Sequence, residues 1–195
     1  VVEITDKLNA RVYLTHSINK IALDLVINQF ISNINSPQIP AMLKNCLETI
    51  EFHDAKNPHD YYWSTQYGAK KILVSFLSAA TGGYGSFTSW ALSPATLGTV
   101  SHELGHSFDT KYAEMLGYSS SYYSKVNPAW QQAIEADGKN ISSYGKNSFS
   151  EDFAETMSMF ITNRTKLQKQ FPNRYNQLIS MMREYASYTL DINNV

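Results

Sequence analysis

Cysteine is nearly missing from this chain of 195 residues: Cys46 stands alone, so no intrachain disulfide can form and the core must hold the fold together. An excess of one charge is missing too. Sixteen Lys and Arg against seventeen Asp and Glu leave a formal net charge of -1, which excludes the basic footprint of a nucleic-acid binder and a polybasic membrane anchor. Long apolar runs are also lacking: the stretch at 72–80 is interrupted by serines and stops well short of the roughly 20 residues a membrane span needs. No repeat, low-complexity tract or Pro/Gly/Ser linker divides the chain, so a single domain is expected over residues 1–195. The chain begins Val1-Val2-Glu3 without a Met or a basic-then-apolar leader, the expectation for a processed or trimmed mature form. What is present is 43% apolar residues with only 17% charged ones, enough to build a core and too apolar for disorder.

The periodicity splits the chain into two parts. Residues 18–34 carry Ile18, Ile21, Leu25, Phe30 and Ile34 at helical spacing, ending at Ser36-Pro37. A second helix is predicted over 39–47, strands over 49–52, 71–77 and 86–92, and a flexible turn at 81–85. From Pro94 the pattern is helical, with Ser93 as the expected N-cap and Pro94 in the first turn. Asn127-Pro128 opens a helix ending at Gly138, Ser148 opens another to about Ile161, and Pro172 opens the last. The expected class is α+β: a mixed part with a small sheet over about 1–92, a helical part over about 93–195, and a cleft between them.

His102-Glu103-Leu104-Gly105-His106 concentrates the chemistry. Histidines at i and i+4 share one helix face and can reach a single ion, with the Glu one step around at the rim. Zinc takes neutral imidazole nitrogens at about 2.0–2.1 Å, and a catalytic site with three protein ligands leaves a position for water whose pKa falls to about 7. Glu103 stands where it can take that water's proton.

The third ligand decides the type of site. The form H-x-x-G-x-x-H is excluded, because its Gly and last His positions hold Asp109 and Tyr112. A Glu about twenty residues past the second His is excluded as well, because Val126 sits there with no carboxylate nearby. Glu114, eight residues past His106 on the same helix, lies about 12 Å along the axis at 1.5 Å per residue, too far to share the ion. Ser150-Glu151-Asp152-Phe153-Ala154-Glu155 remains: Glu151 can ligate, and Glu155 one turn later can accept the other ring N–H of a zinc-bound His. Ser148-Phe149-Ser150-Glu151 also fits a capping box, in which the Glu returns to the N-cap amide and binds no metal.

Together, the segment from His102 to Asp109, Ser143-Tyr144-Gly145, and Glu151-Asp152-Phe153-Ala154-Glu155 resemble the catalytic domain of anthrax lethal factor and the small secreted Pro-Pro endopeptidases. That resemblance implies a zincin-like metallopeptidase fold with one Zn2+ per chain on His102, His106 and Glu151. It also implies Glu103 as the water-activating base and Tyr144, seven residues before Glu151, as a phenol donor to the oxyanion. Gly82, Gly83 and Tyr84, with the strand that follows, look like the edge that binds an extended peptide in this family, although Gly82-Gly83 also reads as a simple turn.

By the same resemblance the chain is a monomeric, secreted bacterial zinc endopeptidase acting on protein or peptide substrates. A non-catalytic toxin-type docking domain and an effector protease delivered into a host cell are the alternatives. Asp109 is either an outer partner of the metal site or a solvated helix residue, and His16, His53 and His59 are scattered without ligand spacing. Trp63, Trp90 and Tyr61-Tyr62 could line a cleft, while Met157, Met159, Met181 and Met182 read as core.

Overall fold

Alternation of in-facing Leu8 and Ala10 with out-facing Asn9 and Arg11 builds a strand that the sequence pattern alone leaves unmarked. It lies in a computed structural model that describes residues 2–5, 8–14, 17, 20–47, 49–53, 63–66, 71–75, 96–118 and 121–193. Five strands are described: β1 (Val2–Thr5), β2 (Leu8–Tyr13), β3 (Thr49–His53), β4 (Trp63–Gln66) and β5 (Lys71–Ser75). They form one sheet in the order β1-β2-β3-β5-β4. The three inner strands run parallel, with Ala10 opposite Ile50 and Ile50 opposite Ile72, and the two outer strands are antiparallel to their neighbours.

Helix α1 (Lys20–Ile34) crosses from β2 to β3. Its buried face is Leu23, Val26, Ile27, Phe30 and Ile34, and Phe30 meets Phe52 of β3 edge to face at 5.5 Å. The expected stripe is corrected here: Ile21 and Leu25 are 64% and 52% exposed. At 100° per residue they point away from the track through Phe30 and Ile34, whose upstream members are Ile27 and Leu23. The helix expected over 39–47 shrinks to α2 (Ala41–Lys44), after which Cys46 and Leu47 turn inward on i→i+3 bonds to Leu43 and Lys44 carbonyls.

Helix α3 (Leu97–Met115) starts later than expected. Its N-cap is Thr96, whose hydroxyl accepts the Thr99 N–H at 3.1 Å. Val100, Leu104 and Phe108 are fully buried, as are most residues between them, because α3 packs on α1, α2 and β4 on one side and on the later helices on the other. The helical part continues with α4 (Tyr123–Val126), α5 (Pro128–Asp137), a 3-10 turn (Gly145–Asn147), α6 (Phe149–Thr162), α7 (Arg164–Gln170) and α8 (Pro172–Asn193). Asn127 caps α5 with Pro128 in its first turn, and Gly138, at φ +71°, ends it in the left-handed conformation that glycine adopts without strain. The class is α+β and mainly helical.

One apolar cluster runs from Ala10, Ile50 and Phe52 through Phe30 and Phe108 to Phe153, Trp130 and Leu178, so sheet and helices share a core. Met157, Met181 and Met182 are buried in it and Met159 packs at its edge. Among the described residues no helix is long and apolar enough to cross a membrane. Gly82, Gly83, Tyr84, the strand expected over 86–92, Ser93, Pro94, His16, His59, Trp90 and Tyr61-Tyr62 lie outside the described residues.

Candidate metal centre

The centre exists because α3 and α6 touch with almost nothing between them. A Cβ on Gly105 would lie 2.9 Å from Met157 Cβ and 3.0 Å from Ala154 Cα, so only glycine admits this approach. The contact places the first two turns of α6 beside the face of α3 that carries both histidines. The rotation of α6 is held from behind by a buried ionic network. Arg174 donates to Asp152 Oδ1 and Oδ2 at 3.0 and 2.9 Å, to Asp137 Oδ2 at 3.0 Å and to the Lys139 carbonyl at 2.9 Å, and Trp130 Nε1 donates to Asp152 Oδ1 at 3.0 Å. With Asp152 turned into that network, its neighbour Glu151 faces α3.

Glu151 lies between the imidazoles. Its Oε2 is 3.1 Å from His102 Nε2 and its Oε1 is 3.2 Å from His106 Nε2. The capping-box alternative is half realised: the Ser148 hydroxyl accepts the Glu151 N–H at 3.1 Å, but the Glu151 carboxylate goes to the histidines. Cap and ligand positions are therefore compatible in one residue. Glu155, one turn on, pairs with His102 Nδ1 at 3.0 Å, so that with a metal bound it would hold the proton on Nδ1 and leave Nε2 to ligate.

These residues fit a zinc ion. Two imidazole nitrogens and a carboxylate oxygen lie within 4.8 Å of one another. Bonds of about 2.0–2.1 Å in a tetrahedron separate neighbouring ligands by roughly 3.3 Å, close to the two nitrogen–oxygen distances seen here. Glu151 Oε2 is buried at ion-pair distance from His102 yet in no hydrogen bond, an atom that a shared cation would satisfy. His106 Nδ1 is likewise buried without a hydrogen-bond partner, so the two histidines differ in how firmly they are oriented.

Electrostatics agree with the geometry. Burial opposes a charge on His102, but the carboxylates of Glu151, Glu155 and Glu103 outweigh it and raise the imidazole to about 10. Burial opposes the charge on Glu151 in turn, and the two histidines overcome it and hold the carboxyl well below its usual range. The His102 hydrogen bond likewise lowers Glu155. Such a cluster favours a cation at its centre, whether proton or metal.

Glu103 is buried on the same turn of α3 and is not among the three grouped donors. Tyr144 is half exposed, its ring tilted over His102 at 5.6 Å, and burial together with the charges of Glu151 and Glu103 pushes its phenol up to about 12. It is a neutral donor throughout the neutral range. Glu114 points to solvent beside Lys111, 3.8 Å away, as its distance along the helix requires.

Asp109 is neither solvated nor turned to an imidazole. It is fully buried, and both carboxylate oxygens are taken by Ser124, from its N–H at 2.9 Å and its hydroxyl at 2.5 Å. It thereby anchors α4, and the residue just before that helix, Tyr122, lays its ring against His106 at 5.6 Å. Tyr122 and Ser142 border the centre without having been singled out from the sequence. Tyr122 carries no local signal, since only the docking of α4 brings it there, whereas Ser142 could have been noticed two residues before Tyr144.

No family model and no curated protein matches this chain.

Proposed function

We propose that this chain is a zincin-like, zinc-dependent endopeptidase. The observation that carries the reading is the convergence of His102, His106 and Glu151 on one point, with Glu155 behind one imidazole and Tyr144 in front of it. Zinc held there would act as a Lewis acid that acidifies water and polarises the scissile carbonyl. Glu103 takes the proton of the water as its oxygen bonds to the carbonyl carbon, and returns it to the amide nitrogen as the C–N bond breaks. Tyr144 O–H donates to the oxyanion that forms, a neutral donor that does not compete for the metal. The substrate is an extended segment of protein, and the enzyme acts as a secreted bacterial monomer by the same resemblance, with delivery into a host cell as the alternative setting.

The test is a digest of a proteome-derived peptide library by the purified chain, read by mass spectrometry, with zinc measured by elemental analysis. The reading expects one zinc per chain and recurrent cleavage, and Glu103→Ala should keep the zinc while losing cleavage. One zinc with no cleavage would leave the docking-domain alternative, and an active Glu103→Ala would remove Glu103 from the mechanism.

A further inference from the structure

The Ser142 hydroxyl joins two parts of the centre that lie apart in the chain. Its Oγ donates to Glu155 Oε1 at 2.9 Å and accepts the Gly145 N–H at 2.9 Å. The other oxygen of Glu155 takes the His102 Nδ1–H at 3.0 Å. Gly145 directly follows Tyr144, and the turn closes where the Asn147 N–H donates to the Tyr144 carbonyl at 3.1 Å. One hydroxyl thus spends its single proton on the carboxylate that orients a metal-facing imidazole and a lone pair on the amide next to the phenol. To hold the turn, the acceptor bond would suffice. The donor bond reaches a different element, α6, and acts on the imidazole.

The turn has no slack. A Cβ on Gly145 would lie 2.5 Å from Ile141 Cγ2, 3.3 Å from Ser142 Oγ and 3.4 Å from Asp152 Cα. A displaced Ser142 therefore shifts the backbone that carries Tyr144, whose half-exposed ring lies tilted over His102 at 5.6 Å.

We infer that Ser142 is a positioning residue that clasps the Tyr144 turn to the Glu155–His102 pair, so that oxyanion donor and metal ligand are set against one another as a unit. The catalytic half of this inference rests on the endopeptidase reading; the metal half rests on the hydrogen bonds and on the fit of zinc to His102, His106 and Glu151. A threonine would keep the hydroxyl, and a groove of about 300 Å³ lined by Ser142, Glu155, Ser158 and Met159 leaves room for its methyl.

The test uses Ser142→Ala and Ser142→Thr in the full chain, each alone and with Tyr144→Phe. Zinc affinity is read by competition with a chromophoric chelator, and kcat and KM on a cleaved peptide at saturating zinc. Ser142→Ala should weaken zinc binding about tenfold and lower kcat about tenfold at unchanged KM, the low end for loss of a group that orients a metal ligand. Ser142→Thr should restore both to within about twofold of wild type. In the Tyr144→Phe background Ser142→Ala should lower kcat no further, while its effect on zinc persists. Wild-type zinc affinity in Ser142→Ala, a Ser142→Thr protein no better than Ser142→Ala, or an undiminished kcat loss in the Tyr144→Phe background overturns the clasp. If wild type binds zinc but cleaves no peptide, the endopeptidase reading fails on its own. The zinc arm then decides: a tenfold loss restored by Ser142→Thr supports the clasp, and no loss overturns it.

Discussion

Gly105→Ala separates the metal centre from the stability of the fold. The added methyl would meet Met157 Cβ at 2.9 Å and Ala154 Cα at 3.0 Å, where ordinary contact begins at 3.4 Å, so α6 must retreat by roughly 0.5 Å. Overpacking of this kind costs about 1–3 kcal/mol, and replacing a mid-helix glycine by alanine returns about 1 kcal/mol. The net loss is about 0–2 kcal/mol, a fall in Tm of less than about 8 °C for a chain of this size. Metal binding has less tolerance, because ligand distances must hold within about 0.2 Å and both Glu151 and Glu155 ride on the displaced helix. Zinc affinity should therefore fall at least about tenfold, or about 1.4 kcal/mol, measured by chelator competition beside a thermal melt. Gly98→Ala is the control: on the same helix, its Cβ would meet nothing closer than 3.4 Å, and zinc affinity should not change. Wild-type zinc affinity in Gly105→Ala would refute the claim that this approach sets the ligand geometry.

Glu151→Ala should lose zinc while retaining α6, since the Ser148 cap accepts a backbone N–H and survives the change; stoichiometric zinc by elemental analysis with unchanged circular dichroism would remove Glu151 from the ligand set. Arg174→Met removes the counter-charge of the buried Asp152 and of Asp137, and loss of one partner of such a buried pair costs about 3–5 kcal/mol, a Tm lower by about 6–20 °C; a melt within a degree or two of wild type would show that the network is dispensable. Burial raises Asp109 to about 7, with the Ser124 hydrogen bonds and His106 opposing the rise, so the folded chain holds a proton there that the unfolded chain releases near its ordinary carboxyl value. Its contribution to stability is then fully present below about pH 4 and is lost as pH rises through about 7. Asp109→Asn should flatten that part of the denaturation profile, and an identical slope in both proteins would contradict the assignment.

Much of the helical part was legible in the residues because its signals are local. Asn127-Pro128, Gly138 and Ser148 act through bonds to neighbours within one turn, and each bounds a helix where its chemistry predicts. The sheet was less legible. The alternation at Leu8–Tyr13 is short, with only Leu8 and Ala10 buried, and its meaning comes from pairing with β3 forty residues later. Helix α1 shows the same limit: its residues offer two apolar tracks, and its packing on β3, through Phe52, and on α3 selects the one containing Phe30.

By itself the sequence determined that two imidazoles would share a helix face with a carboxylate beside them, because spacing of four residues on an α-helix is a local geometric fact. It also narrowed the candidate third ligand to Glu151 while leaving a capping role open, since cap and ligand can have the same neighbours. Tertiary structure decided the rest. It turned the Glu151 side chain to the histidines by closing Gly105 against Ala154 and by drawing Asp152 into the Arg174 network. It sent Asp109 to Ser124 and brought Tyr122 and Ser142 to the border of the centre. These outcomes depend on contacts between residues far apart in the chain, whose energies no local pattern contains.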